Sequence, residues 1–339
     1  MRIVLDAMGH DEGPAPLIAG ARLALLEFPS IEKLFLTGDT DQIKAELQRI
    51  GCDDPRVEII HSTQVVEMKD SGIDAVRKKK DSSVSRAVGL LKDGTAEAMV
   101  SAGNTGAAVA AATIKLRMLP GIERPAIAAH MPTEGGGNFI LCDAGANPDP
   151  TPRQIEDNAL MALAYCRQVV GKTNPTVGLL SNGSEEFKGN DLTLNTHKLL
   201  KQLGTHFHGN VEGHDLFSGT VDVVVTDGFT GNVVLKTSEA LAKSIFRLLR
   251  AELLKNPLRK AGALLCKPAF RAVHRVTNAD EYGGMPLLGV NGVCIIAHGG
   301  SSPYAIKNAV RMAVQSVTNQ VNPAIISAAK QYRESEARP

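Results

Sequence analysis

Short apolar runs recur along the chain, at Ile3–Leu5, Leu34–Leu36, Val57–Ile60, Ala98–Val100, Ala126–Ala129, Phe139–Cys142, Val177–Leu180, Val221–Val225 and Val293–Ile296. Most are continuous rather than alternating, the pattern of strands covered on both faces. Helical segments separate many of them, among them Leu17–Glu27, Asp41–Arg49, Ser83–Leu91, Arg153–Val170 and Asp191–Leu203. The alternation predicts a three-layer α/β/α architecture around a mainly parallel sheet. A length of 339 residues allows two domains. No Pro-, Ser- or Gly-rich linker divides the pattern, so a single α/β domain over 1–339 is expected.

Several of the strands end in small polar turns: Asp6-Ala-Met-Gly9, Thr37-Gly-Asp39, Asp143-Ala-Gly-Ala-Asn147 and Ser181-Asn-Gly-Ser184. In parallel sheets, ligands bind beyond the carboxyl ends of the strands. Two further turns repeat one device. Ser101-Ala-Gly-Asn-Thr-Gly106 runs into an alanine-rich helical segment, and Asp227-Gly-Phe-Thr-Gly-Asn232 follows the run Asp222–Thr226. Asn104, Thr105 and Gly106, like Thr230, Gly231 and Asn232, fall where a starting helix leaves amides unpaired, and such a start attracts an anion. Together they suit the two walls of one anion-binding cleft. The same residues also suit plain turns and caps.

The remaining composition excludes more than it selects. A net charge of +1 gives no global field for nucleic acid. Cys52, Cys142, Cys166, Cys266 and Cys294 show no CxxC spacing, and Cys142 and Cys294 lie in apolar runs, as reduced buried thiols do. Met1-Arg-Ile-Val-Leu-Asp6 reads as a strand and not as a signal peptide, and no run is long enough to span a bilayer, so a cytoplasmic protein is expected. No G-x-G-x-x-G follows a strand, and neither G-x-x-x-x-G-K-[ST] nor G-x-S-x-G occurs. The histidines have no metal-ligand spacing; His206 and His208, two apart, would share one strand face and are read as structural. No metal site is expected.

Several segments together resemble the bacterial phosphate acyltransferases of phospholipid synthesis. They are Asp6-Ala-Met-Gly-x-Asp11, Ala75-Val-Arg-Lys-Lys-Lys-Asp-Ser-Ser83, Ser101-Ala-Gly-Asn-Thr-Gly106, Gly121-Ile-x-Arg-Pro-Ala126, Val177-Gly-Leu-Leu180 with Lys188-Gly-Asn190, Val223-Val-Val-Thr-Asp-Gly-Phe-Thr-Gly-Asn-Val233, Tyr282-Gly-Gly284 and Ala297-His-Gly299. They cover nearly the whole chain in the family's order. The resemblance implies a homodimer with a fold similar to the isocitrate and isopropylmalate dehydrogenases. It also implies transfer of a fatty acyl chain from acyl carrier protein to inorganic phosphate, without a cofactor, and supply of acyl phosphate to a membrane glycerol-3-phosphate acyltransferase. His10 and Glu12 stand where the family has glycine and histidine, so that loop is assigned no catalytic role.

By the same resemblance Lys188 and Asn232 are catalytic. The ammonium would hold phosphate or oxyanion charge, and the carboxamide would donate a hydrogen bond. Without the resemblance, Lys188 would be a solvated lysine paired with Glu185 or Glu186, and Asn232 an N-cap. Asn104, Thr105, Gly106, Thr230 and Gly231 are candidates for phosphate or pantetheine contacts. Arg77, Lys78 and Lys79 form either a solvated face or a dock for the acidic carrier protein.

One segment stands apart, at about 241–275. Leu241, Ile245, Leu248, Leu249 and Leu253 follow helical spacing, and basic residues continue through Lys255, Arg259, Lys260, Lys267, Arg271 and Arg275, with Glu252 the lone acid. The pattern suits a peripheral membrane element, and equally a helix packing at a dimer interface or on the core. Two other function classes compete with acyl transfer. One is a metal- and nicotinamide-dependent decarboxylating dehydrogenase of the same fold; the other is a non-catalytic, membrane-associated sensor of acyl carriers.

Overall fold

The computed structural model describes residues 1–336. The strands are β1 (Arg2–Asp6), β2 (Lys33–Gly38), β3 (Val57–His61), β4 (Ala98–Ser101), β5 (Ala126–Pro132), β6 (Asn138–Cys142), β7 (Val177–Leu180), β8 (Phe207–Val211), β9 (Val223–Val225), β10 (Met285–Leu288) and β11 (Val293–Ile296). They form one 11-stranded sheet in the order β3-β2-β1-β4-β11-β10-β5-β6-β9-β7-β8. Neighbours are parallel except around β10 and β5: β10 is antiparallel to β11 and to β5, and β5 is antiparallel to β6. The sheet is thus two parallel halves of opposite sense, joined through β10 and β5.

The helices are α1 (Ala15–Glu27), α2 (Thr40–Arg49), α3 (Gly72–Lys78), α4 (Ser83–Lys92), α5 (Thr105–Leu116), α6 (Pro152–Tyr165), α7 (Asp191–Leu200), α8 (Gly228–Leu253), α9 (Pro257–Leu265), α10 (Lys267–Thr277), α11 (Pro303–Thr318) and α12 (Val321–Glu336). Successive strand residues point to opposite faces, so continuous apolar runs supply two cores at once. Val4, Met99, Ile127, Leu141 and Val224 pack under α4 and α5. On the other face Ile3, Leu5, Ala98 and Val100 pack under α1 and α11, whereas Ala126, Ile140, Cys142 and Val223 pack under α6 and α12. This is the expected three-layer arrangement.

Two strands have no counterpart among the apolar runs, β8 and β10. His206 and His208 do not share a strand face. His206 closes a 3₁₀ turn with its Nδ1 at 3.0 Å from the Pro175 carbonyl, and only His208 lies in β8.

The chain segment 228–277 departs from the layers. At about 1.5 Å per residue, the 26-residue α8 is roughly 39 Å long. Only its first turn holds buried residues, Gly228 and Gly231, and no residue of α9 or α10 is buried. Phe246 and His274 meet edge to face, so α10 folds back on α8 as a projecting arm. No helix among the described residues is long and apolar enough to cross a membrane.

Candidate active site

The two sheet halves run in opposite senses, and segments that follow β4, β11 and β6 nevertheless line one space beside the middle strands. A cleft of about 470 Å³ occupies this junction. Its floor is Ile127 and Ala129 of β5, with Met285 and Ile296; its walls carry Gly103–Gly106, Ala144 and Gly145, Asn232 and Lys236, and His298. The expectation of one cleft fed by several strand-end turns therefore holds for the turns after β4 and β6.

On one wall, the glycines after β4 have a reason that the sequence alone does not show. A side chain on Gly9 would lie 2.4 Å from the Gly103 Cα, and one on Gly72 equally close to the Gly106 backbone. Three loops are therefore packed main chain to main chain. Asp6, at the end of β1, accepts from the Ser101 hydroxyl at 2.8 Å. Burial holds its carboxyl above the usual range despite hydrogen bonds from Ser83, Ser101 and Met8. Asn104 is wholly engaged. Its Oδ1 caps α5 by accepting from Ala107 N–H, and its amide donates to the carbonyls of Glu67, Met68 and Asp70. Asn104 shapes the cleft and has no amide hydrogen left for a substrate. The N–H groups of Thr105 and Gly106 have no partner among the described residues and stay open, as a starting helix requires.

The opposite wall is built on Asp143, which is fully buried. Its carboxylate accepts from the N–H groups of Ile127, Gly145, Ala146 and Asn147, at 2.6–3.1 Å. Burial still holds the carboxyl above its ordinary range, outweighing those four donors. The turn after β9 packs on the same group. Added side chains on Gly228 and Gly231 would strike Asp143 and Asn147.

This packing corrects the reading of 227–232. The helix α8 starts at Gly228, and Asp227 is its cap, accepting from Thr230 N–H and the Thr230 hydroxyl, both at 2.7 Å. Thr230 serves the cap and Gly231 the close approach; neither lines the cleft. Asn232 is no N-cap, because it lies inside α8, one turn beyond the true start. Its half-buried side chain lines the cleft beside Gly145 and makes no hydrogen bond among the described residues.

Lys188 is not brought into this cleft. It sits exposed in the loop between β7 and α7, with Nζ 5.8 Å from the centre of the exposed Phe187 ring. Neither expected acidic partner holds it, since Glu186 pairs with Lys201. Asn190 caps α7, accepting from Thr193 N–H, and Gly189 adopts a φ of 118° against the same threonine. The basic cluster also divides. Arg77 and Lys78 are exposed, but Lys79 is held by Asp70 at 2.6 Å and by the Val65 carbonyl.

Two cleft residues escaped the sequence reading. His298 is exposed at the end of β11, with Nδ1 accepting from Gly300 N–H and Nε2 without a partner among the described residues; the segment Ala297-His-Gly299 is its signal in the sequence. Lys236 follows Asn232 by one helical turn on α8 and is exposed at the cleft. His130 lies between the Tyr165 hydroxyl and Asn138 and stacks on Tyr282. Burial pushes its pKa down to about 4, so the ring is neutral at physiological pH. His10 is structural: its Nε2 bonds the Ser301 carbonyl at 2.9 Å, and its Nδ1 accepts from Glu12 N–H. Among the described residues no three His, Cys, Asp or Glu side chains converge as metal ligands would.

The profile of a family described as "Fatty acid synthesis protein" matches residues 1–324. A phosphate acyltransferase of Akkermansia muciniphila is 52% identical over 331 residues, covering 96% of this chain and 95% of that one. A phosphate acyltransferase of Pelotomaculum thermopropionicum is 46% identical, covering 95% and 93%. Among solved structures, a phosphotransacetylase of Streptococcus pyogenes superposes with a TM-score of 0.65 at 18% identity, covering 94% of each chain. A branched-chain phosphotransacylase of Enterococcus faecalis gives 0.56 at 14% identity, covering 94% and 100%. At such identities the structural likeness speaks for the fold alone. The sequence relationship extends over almost the whole chain, and the protein belongs to the fatty acid synthesis protein family whose close relatives are named phosphate acyltransferases.

Proposed function

We propose that this chain transfers a fatty acyl group from the thioester of acyl carrier protein to inorganic phosphate, releasing acyl phosphate and the carrier thiol. The observation that carries the reading is the Asn232 carboxamide: half-buried, without a partner among the described residues, and sharing a cleft with the open amides of Thr105 and Gly106. A phosphate oxygen attacks the thioester carbonyl carbon. The new C–O bond pushes the carbonyl pair onto oxygen, and collapse of that oxyanion breaks the C–S bond. The thiolate leaves with the carrier and takes a proton from water. Phosphate brings its own nucleophilic oxygens, so the protein contributes position and hydrogen-bond donors rather than a strong base. The start of α5 favours the phosphate charge, and the Asn232 amide is the donor for the oxyanion.

Lys188 keeps a catalytic assignment through the family resemblance alone. In the single chain it lies outside the cleft, so its role depends on loop closure or on a second copy of the chain. The reading includes a homodimer and a cytoplasmic protein that touches the membrane through its arm, passing acyl phosphate to a membrane glycerol-3-phosphate acyltransferase. The arm supports this: Leu248, Leu258, Leu264 and Leu265 are exposed beside Lys260, Lys267 and Arg271. The deciding experiment incubates the protein with acyl carrier thioester, with and without phosphate, and detects acyl phosphate by mass spectrometry. Acyl phosphate that forms only with phosphate, and without nicotinamide or added metal, supports the reading. Its absence, with the thioester intact, sinks it.

A further inference from the structure

We infer that the acyl chain of the substrate lies in an apolar pocket at the root of the arm, running along α8 away from Asn232. This rests on the acyl-transfer reading and deepens it. A pocket of about 260 Å³ opens between β5, Phe217, α8 and the end of α10. Its walls include Met131, Phe217, Leu235, Leu241, Ala242 and Ile245. It shares His130, Leu235, Glu239, Ala279 and Tyr282 with the cleft, so the two adjoin at these residues.

The geometry of α8 gives that space a direction. Asn232, Leu235, Glu239 and Ala242 recur at helical spacing and fall on one face. From Asn232 to Ala242 the axis advances about 15 Å, at 1.5 Å per residue. A thioester carbonyl held at the carboxamide therefore has a largely apolar wall leading from it, interrupted by Glu239, far longer than an acetyl group needs and suited to a fatty chain. Glu239, Ser238 and Thr277 are the other polar side chains of the pocket besides His130 and Tyr282. The His130 nitrogens are satisfied by Tyr165 and Asn138, and its ring face is covered by Tyr282. Apolar side chains outweigh Glu239 in this lining, which suits an apolar, unbranched occupant leading from the reacting carbonyl. A second apolar recess, along Ile73, Val109 and Ile114, also meets the cleft but carries Arg77 and Arg124. That lining suits an acidic ligand better than an acyl tail.

The pocket is tested by chain length. Wild type and Ala242→Phe are compared on butanoyl and palmitoyl thioesters of the carrier. Burial of each further methylene is expected to raise wild-type kcat/KM about fourfold until the pocket is filled. Ala242→Phe narrows the channel, so its loss should be at least tenfold greater on palmitoyl than on butanoyl. Equal losses on both, or a flat wild-type series, overturn the assignment. A second measurement needs no variant: a carrier-bound acyl chain with a terminal diazirine is photolysed on the wild-type protein and the adduct mapped. Labels on Phe217 or between Leu235 and Ile245 uphold the pocket. Labels at Val109–Ile114, or on the outer face of the arm, refute it. If wild type transfers neither chain, the acyl-transfer reading fails, and the photolabel alone decides the pocket.

Discussion

Replacing Asp143 by asparagine isolates the part of the site that positions rather than reacts. The carboxylate Oδ1 accepts from Ile127, Gly145 and Ala146, and Oδ2 from Ala146 and, at 2.6 Å, from Asn147. An asparagine keeps the shape, but its NH₂ must face either Asn147 N–H or the larger set of donors. The favoured orientation keeps Oδ1 in place and sets two donors against each other at Asn147. Losing one hydrogen bond to a charged acceptor and orphaning a buried N–H costs roughly 2–5 kcal/mol. Relief of the buried charge offsets part of this, leaving about 2–3 kcal/mol, or a Tm drop of roughly 5 °C for a chain this long. The same turn holds Gly145 against Asn232, so kcat should fall about 10²-fold from misplacement alone, with a smaller change in KM. Because the folded-state pKa is raised, wild-type stability falls as pH rises from the ordinary carboxylate range through the folded value. The asparagine variant should lose that slope. Circular dichroism melts across pH, paired with steady-state acyl phosphate formation, measure both effects. A Tm within a degree of wild type and kcat within a factor of two would refute this account of Asp143.

Further expectations concern the cleft, the surface and the arm. Asn232→Ala should lower kcat about 10²- to 10³-fold with an unchanged Tm, since the side chain makes no hydrogen bond among the described residues; Lys188→Ala run in parallel should cost about 10²-fold if that lysine reaches substrate, and near-normal turnover would leave it a solvated loop residue. Arg77→Glu with Lys78→Glu should raise KM for the acyl carrier at low salt and less so at high salt, with Lys79 left in place because it braces Asp70. Lys260→Glu, Lys267→Glu and Arg271→Glu together should abolish co-sedimentation with anionic vesicles while activity on soluble substrate persists, each basic residue contributing about 1 kcal/mol near a charged bilayer; Arg259 is a poor target, being already paired with Glu252. The His130 imidazole signals should stay flat between pH 8 and pH 5 in a nuclear magnetic resonance titration, and because the unfolded chain gains a proton there that the folded one refuses, His130 should lower stability as pH falls from about 6.5 toward 4.

The core was legible because burial on both faces writes itself as continuous apolar sequence, as at Ile140–Cys142 and Val223–Val225. What stayed hidden was set by distant partners. Met285-Pro-Leu-Leu288 is too short and proline-broken to stand out, and Phe207-His-Gly-Asn-Val211 is too mixed, yet each is completed by a neighbouring strand. The reversal of direction at β10 and β5 has no local signature at all. Asn232 lines the cleft from inside α8, a place that its sequence context hides, since Asp227-Gly228 reads as a turn until Asp143 is seen packed behind it. The close packing of Gly103 on Gly9 and of Gly106 on Gly72 is a second demand for glycine there, which no local pattern displays. The loop of Lys188 shows the opposite case, a residue singled out by resemblance that the isolated fold leaves at the surface.

The sheet order has a consequence for the nascent chain. The strands β10 and β11, which sit between β4 and β5, are contributed by residues 285–296, after the whole of the second half and the arm have been made. Until they emerge from the ribosome, β4 and β5 are bare edges whose sequences, Ala98-Met-Val-Ser101 and Ala126-Ile-Ala-Ala129, carry no charge to deter pairing with another chain. The seam that later holds the cleft is thus the last part of the sheet to close. Halting synthesis before residue 285 should yield a protein that aggregates through that seam, however well each half has packed its own helices.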